Sequence, residues 1–466
     1  MDAKFSQATF TTPLGERANR PAPRDKWGVV EIIAVVVFAF LVFLSMRYVP
    51  GGPKYQAITV RGWATQMVAG LLVVAIIARR LYIDGERFVL PVELVLLLVW
   101  FFWFSLAFAR TPVLGAFAID LQSQAKVTGL AFVMFLGFTT RRRLGFFLSW
   151  GVLGVLVAVA VYGLTGGLKT AVPSGRRLWL VVDVNTLAAL CGIAFWVAVS
   201  VVLCKGALWG RVAAALIMPL ILYLVLETGS RKGFVMMALT LVLAYFVFGR
   251  TMRRRPAWRI ATAVLLVAAI AGMVYALLQS QWVWRFESMW HFVTGESDEI
   301  LDEGRFQMME AGWRMGLDHP LVGVGPSGFM ALLPRYAPVA GMASHSDLTG
   351  MMAISGFPGW ALYYLIYVSM ILRARRVFRN PDLPAEDRFQ VGMCYVYAIL
   401  IMIISSYAKV FDFQPVIMTL WPCAGYVYAV EARLRARAVQ AGEPLSGLQG
   451  APPTLLPAGG AAPTRA

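Results

Sequence analysis

"SHSDLTGMMAISGFPGWALYYLI", residues 344–366, passes within four residues from hydroxyls, an imidazole and a carboxylate into an apolar run. Ser and Asp are favoured at helix N-termini, where their side-chain oxygens accept from free backbone N–H groups. A run of about 20 mostly apolar residues is long enough to cross a hydrocarbon layer. The stretch therefore reads as the point where a polar loop enters a membrane helix. It also holds His345, one of three histidines in 466 residues. An imidazole with an ordinary pKa of about 6.5 suits proton removal from a hydroxyl near neutral pH, and Ser346 or Asp347 could orient it. The other reading is purely structural: SHSD caps the helix that follows.

The rest of the chain carries the membrane reading outward. It is 59% hydrophobic and 14% charged, with mean hydropathy +0.68, where soluble domains are about 25% charged. Twelve candidate spans lie at roughly 27–48, 62–78, 89–108, 122–139, 145–164, 184–204, 211–227, 232–249, 259–278, 348–371, 391–411 and 415–430. The fourth is the least apolar, since Gln122, Gln124 and Lys126 stand at its start. With residues 1–26 as a cytoplasmic tail, Arg79-Arg80, Arg141-Arg142-Arg143, Arg253-Arg254-Arg255, Arg373 with Arg375-Arg376, and Arg433, Arg435 and Arg437 all fall inside. That is the distribution the positive-inside rule requires, and an odd number of spans would break it. The net charge of +17 is thus spent on topology, and nucleic acid is not an expected partner. The N-terminal tail lacks the short apolar core and small-residue site of a signal peptide. The four cysteines, Cys191, Cys204, Cys394 and Cys423, form no CxxC pair and read as buried thiols. Residues 433–466, rich in Ala, Gly and Pro, read as a disordered cytoplasmic tail.

One loop stands apart. Residues 279–347 stay outside between the spans of 27–278 and those of 348–432, and the segment is too aromatic for disorder. "DEGRFQMMEAGWRMGLDHP" predicts a helix from about Asp302 to Leu317, ended by His319-Pro320. "GVGPSGF" reads as a turn cluster. His319 and His291 have structural readings, as a helix terminator and an interfacial ring.

Basic residues on the outer side are not needed for topology, and an ionisable group beside the apolar zone is a functional candidate by default. They include Arg176, Arg177, Arg231, Lys232, Arg305 and Arg314. Arginine suits phosphate because its planar fork donates two hydrogen bonds and keeps its charge. Arg231, near the start of a span, adds to the positive end of a helix dipole. Each arginine also has a bland reading, as a headgroup anchor or the partner of an acid such as Glu227 or Glu310. No carboxylate set suggests a metal site, and the acidic run GESDEILDEG at 295–304 reads as a solvated loop.

Taken in order, four stretches resemble the O-antigen ligase and polymerase superfamily of bacterial envelope glycan enzymes. They are VVDVNTLAAL (181–190), TGSRKGFVMMALTLVL (228–243), GRFQMMEAGWRMGLDHPLVGVGPSGF (304–329) and HSDLTGMMAISGFPGWALYYLI (345–366). The order is specific where each piece alone is not, and Lys232 departs from the small residue usual there. The resemblance implies an all-α, polytopic, GT-C-like membrane protein of about twelve helices in the bacterial inner membrane, both termini cytoplasmic. It implies transfer of a glycan from undecaprenyl diphosphate to an acceptor hydroxyl of a lipid- or glycan-linked partner at the periplasmic face, with inversion and with neither cofactor nor metal. Arg231 and Arg305 would hold the diphosphate and His345 would activate the acceptor, with Arg314, Arg176, Arg177, Lys232, Asp347 and Asn185 in supporting places. Ligase, polymerase and protein O-oligosaccharyltransferase remain open within this class. A lipid-linked glycan transporter is the competing class, and it predicts charges near the bilayer midplane and repeat symmetry; the sequence offers neither.

Overall fold

A computed structural model describes residues 90–153, 169–171, 177–179, 184–203, 208–228, 231–249, 303–338, 346–408, 410 and 414–441. The expected spans at 27–48, 62–78 and 259–278 lie outside these residues.

The described chain is helical wherever the sequence is continuously apolar. Its helices are α1 (Val92–Ser105), α2 (Leu114–Gly137), α3 (Arg141–Phe146), α4 (Val184–Leu203), α5 (Leu208–Thr228), α6 (Arg231–Gly249), α7 (Glu303–Asp318), α8 (Gly325–Leu332), α9 (Asp347–Arg379), α10 (Ala385–Tyr407) and α11 (Gln414–Ala441). A 3-10 turn extends α1 through Leu106–Ala109, and a π turn extends α3 through Phe147–Leu153. Among the described residues, four helices are long and apolar enough to cross a membrane: Val92–Ala109, Leu208–Val225, Asp347–Arg379 and Ala385–Tyr407. Leu187–Leu203 and Lys232–Phe248 are shorter apolar helices.

Two expectations of detail need correction. The all-helical plan holds, with one short addition: Lys169–Ala171 (β1) and Arg177–Trp179 (β2) pair antiparallel, Lys169 opposite Trp179. Val-Pro-Ser-Gly-Arg separates them in sequence, a turn signal between strands too short to show periodicity. The fourth apolar helix begins at Leu114, eight residues before the expected start. It takes in Asp120 and Gln124 because both turn toward protein, Gln124 fully buried and Asp120 hydrogen-bonded. Finally, GVGPSGF is a turn only as far as Val324; Gly325 onward is helical, with Pro326 in the first turn where its missing N–H costs nothing.

The helices form one packed core with two unlike ends. Trp196 of α4 stacks on Tyr397 of α10 at 4.2 Å and donates to the Met393 carbonyl. Trp100 of α1 meets Tyr363 of α9 at 6.1 Å, and Phe135 of α2 meets Trp421 of α11 at 6.3 Å. At one end, the start of α1 and the ends of α9 and α11 bring Glu93, Arg373, Arg376, Glu431 and Arg435 together. Arg373 forks onto Glu93 at 2.6 and 3.0 Å and also pairs with Glu431. Arg141 pairs with Glu386 at this same end, and Phe248, closing α6, packs on Phe378 and Phe389. These contacts bring residues of three basic clusters, Arg141, Arg373 and Arg435, to one end. The starts of α4, α6 and α9 therefore lie at the opposite end, where α7 and α8 sit.

Candidate functional site

The start of α9 is built by its own sequence. Ser346 is the N-cap: its hydroxyl accepts from the Leu348 N–H at 3.1 Å and donates to the Ser406 carbonyl at 2.6 Å. Asp347, 2% exposed, accepts from the Tyr363 hydroxyl and from the Val410 N–H, each at 2.9 Å. The Tyr363 hydroxyl is 2.8 Å from that of Tyr367. The α9 start is thus riveted to the end of α10, and the capping role of SHSD is real for Ser346. His345 lies outside the described residues, directly before this cap.

Helix α7 runs beside the first turns of α9 in the same direction. Gly312 and Gly316 let the backbones meet: a Cβ at Gly316 would fall 2.8 Å from that of Met352, one at Gly312 3.1 Å from the Thr349 carbonyl oxygen. His319 follows α7 and Pro320 bars its continuation, as the sequence predicts. The chain then threads into a break in α9. Gly356 has φ +68°, and the Phe357 N–H donates to the Pro320 carbonyl at 2.8 Å. The Val324 N–H donates to the Ala353 carbonyl at 2.9 Å, and Trp103 of α1 donates to the carbonyls of Leu321 and Ser355 at 3.3 and 3.1 Å. Asp120 of α2 then accepts from the N–H and hydroxyl of Ser327, fixing the start of α8. Beyond α8, Tyr336 donates to Asp318 at 2.7 Å. Partial burial first, and the adjacent carboxylate second, push its phenol up to about 12.

The sequence-predicted residues fall at this end, by backbone, as follows. Arg231 and Lys232 open α6, Asn185 is the second residue of α4, and Arg305 is the third residue of α7. The starts of α4 and α6 are neighbours, since a Cβ at Gly233 would lie 3.1 Å from the Ala188 carbonyl oxygen. Arg177 opens β2, and Arg176 lies outside the described residues. Arg314 is exposed and pairs with Glu310 at 2.5 Å, one turn away, which is its bland reading. The α4–α6 pair reaches the α7–α9 pair by way of α10. Among the described residues no three of His, Cys, Asp and Glu converge as metal ligands. Sequence reasoning passed over Asp120, Trp103, Tyr363 and Ser327. Asp120 had a signal, an acid inside an apolar run. Tyr363 had none, because the break at Gly356 alters the helical phase between it and Asp347.

A bundle of apolar helices, four of them among the described residues long and apolar enough to span, defines a membrane protein. Residues 213–364 match the family model described as O-antigen ligase. The match supports membership of the O-antigen ligase superfamily, and with it glycosyl transfer of the ligase or polymerase type in general. Arg231, Arg305 and His345 all fall inside the matched residues. No curated protein matches the chain.

Proposed function

We propose that this protein is an inner-membrane glycosyltransferase with about twelve spans and a GT-C-like plan. It moves a glycan from undecaprenyl diphosphate to an acceptor hydroxyl at the periplasmic face, as a ligase or polymerase. In this reading residues 1–26 and 433–466 are cytoplasmic tails, 27–278 and 348–432 hold nine and three spans, and 279–347 is the outer segment bearing the site. The observation that carries it is the family match over 213–364, which spans the three stretches bearing Arg231, Arg305 and His345.

The chemistry follows from those residue types. The acceptor oxygen attacks the anomeric carbon from the face opposite the leaving group. The bond to the diphosphate oxygen breaks, and the diphosphate departs with the electron pair. Arg231 and Arg305 hold the charge that develops there, as fixed donors need no reorganisation during reaction. His345 takes the proton of the acceptor hydroxyl. Lys232, Arg176, Arg177 and Arg314 are further cations for the same anion, Asn185 supports the pocket wall beside Arg231, and Asp347 fixes the segment on which His345 hangs. Fixed cations in this number allow transfer without a metal or cofactor.

The test is the size profile of lipid-linked glycan when His345→Ala replaces the native protein, beside a purified assay with chelator and without ATP. Accumulated single repeats identify a polymerase; accumulated full-length chains identify a ligase. A wild-type profile from an expressed, inserted variant removes His345 from catalysis, and transfer that needs ATP or an ion gradient moves the protein to the transporter class.

A further inference from the structure

Helix α7 does not behave as part of a water-soluble outer domain. Its buried side, Met308, Ala311 and Met315 with the two glycines, is packed against α9. On its exposed side Glu310 and Arg314 pair from the middle of the helix onward, beside Trp313, which is 45% exposed; Leu317, 53%, and, just past the helix, Leu321, 67%, follow. Large apolar groups so exposed at regular spacing require something apolar to face.

The neighbouring surface says what that is. The Trp313 ring packs edge-on against Phe357 of α9 at 6.5 Å. Phe357 heads a helical stripe on α9 that continues through Leu365, Val368 and Leu372, 49%, 37% and 50% exposed. This stripe lies on a helix long and apolar enough to span, so it faces lipid. The Leu321 carbonyl is held by Trp103 of α1, next to Phe102, which is 67% exposed on a second such helix. The apolar edge of α7 is therefore continuous with two lipid-facing surfaces. Phe357 is ten residues into α9, about 15 Å along its axis at 1.5 Å per residue. Three hydrogen bonds tie the irregular backbone at 319–324 to α9 and α1, through the carbonyls of Pro320 and Leu321 and the Val324 N–H, the kind of pairing that irregular chain at membrane depth requires. Asp318, about 100° round the helix from Leu317, turns to Tyr336 instead.

We infer that α7 is a membrane-interface helix: it enters the lipid boundary with its C-terminal end first and seats Trp313, Leu317 and Leu321 among the acyl chains of the surrounding bilayer. Interfacial helices of this kind sink about 5–10 Å below the headgroup boundary. One consequence rests on the proposed function. Arg305 is eight residues before Trp313, about 12 Å up the helix, so the lipid seat fixes the height of Arg305 against the phosphate plane.

The experiment places a nitroxide at Leu317→Cys, Leu321→Cys, Glu310→Cys and Leu365→Cys in the full chain, with the four native cysteines replaced, in phosphatidylcholine–phosphatidylglycerol vesicles. Collisions with oxygen report lipid, and collisions with a nickel chelate report water. The seat predicts oxygen preference at 317 and 321 approaching that at 365, and nickel access several-fold greater at 310. Nickel access at 317 equal to that at 310 would place α7 in water and overturn the inference. Labels at 317 and 321 closed to both agents would mean that protein covers this edge, and would overturn it equally. Neither reading depends on turnover, so a failure here is distinct from a failure of the glycosyl-transfer assignment.

Discussion

The two ends of the bundle solve the same problem, polar groups beside an apolar zone, by opposite means. At the charged end, two buried carboxylates pair with three arginines, and Arg373 also lies over the Tyr428 ring at 5.2 Å. At the α7 end the described contacts are backbone carbonyls, hydroxyls, glycines and three acids, Asp120, Asp318 and Asp347, held by N–H and O–H donors, with the exposed Glu310–Arg314 pair beside them. The first arrangement uses its charges up in holding helices together. The second holds helices together almost without cations, and the arginines at that end, Arg231 and Arg305, open their helices. Under the proposed function, charge that holds the fold and charge that holds the diphosphate would stand at opposite ends.

The largest effect that separates them comes from Arg373→Ala. It leaves Glu93 and Glu431, each 1% exposed, without their central partner. Breaking a buried pair by removing one side costs about 3–5 kcal/mol. We expect a large fall in the folded fraction by detergent melting, with transfer per folded molecule kept. Replacing the three together, Glu93→Gln, Arg373→Met and Glu431→Gln, should recover much of the melting temperature. A per-molecule loss of transfer with unchanged melting would show that this cluster belongs to the site.

Gly356→Ala should give the reverse pattern. Its φ of +68° is left-handed, and the new methyl would press into the Leu321 carbonyl. Strain of this kind costs about 1–3 kcal/mol, less than the loss at Arg373. Relief requires the 319–324 segment to move out of the α9 break, and α7 moves with it. Displacing reacting groups by about 1 Å costs on the order of 100-fold in rate. Transfer should therefore collapse while melting falls modestly. Wild-type turnover in this variant would show that the α7–α9 splice is structural only.

How much of this was legible in advance differs between the ends for a physical reason. Most described apolar helices were readable because they depend on runs of residues. The helix of α7, its stop at His319-Pro320, and the capping by Ser346 were readable because caps and prolines act within four residues. The partners of Glu93, Asp120 and Asp347 were not: each pairs with a residue at least 16 positions away in the chain. The β hairpin was missed because two three-residue strands carry no period. The break at Gly356 was missed because its partner, the carbonyl of Pro320, lies more than 30 residues earlier in the chain.

The smallest effect tests whether the α7–α8 region is tied by local hydrogen bonds, as the comparison requires. The Tyr336 hydroxyl donates to Asp318, and it can do so only while protonated. Its folded pKa, about 12, stands above the unfolded value near 10. The folded state therefore holds the proton more tightly, and the tie contributes fully below pH 10. It is lost as pH rises from 10 through 12. Tyr336 is partly exposed, so solvent screening keeps the contribution small. Hydrogen exchange of the amides at 333–338 should match between wild type and Tyr336→Phe above pH 12 in their relative rates, and the wild type should be slower below pH 10. Identical exchange at both pH values would mean that α7 is held at its C-terminal end by the α9 splice and Trp103 alone.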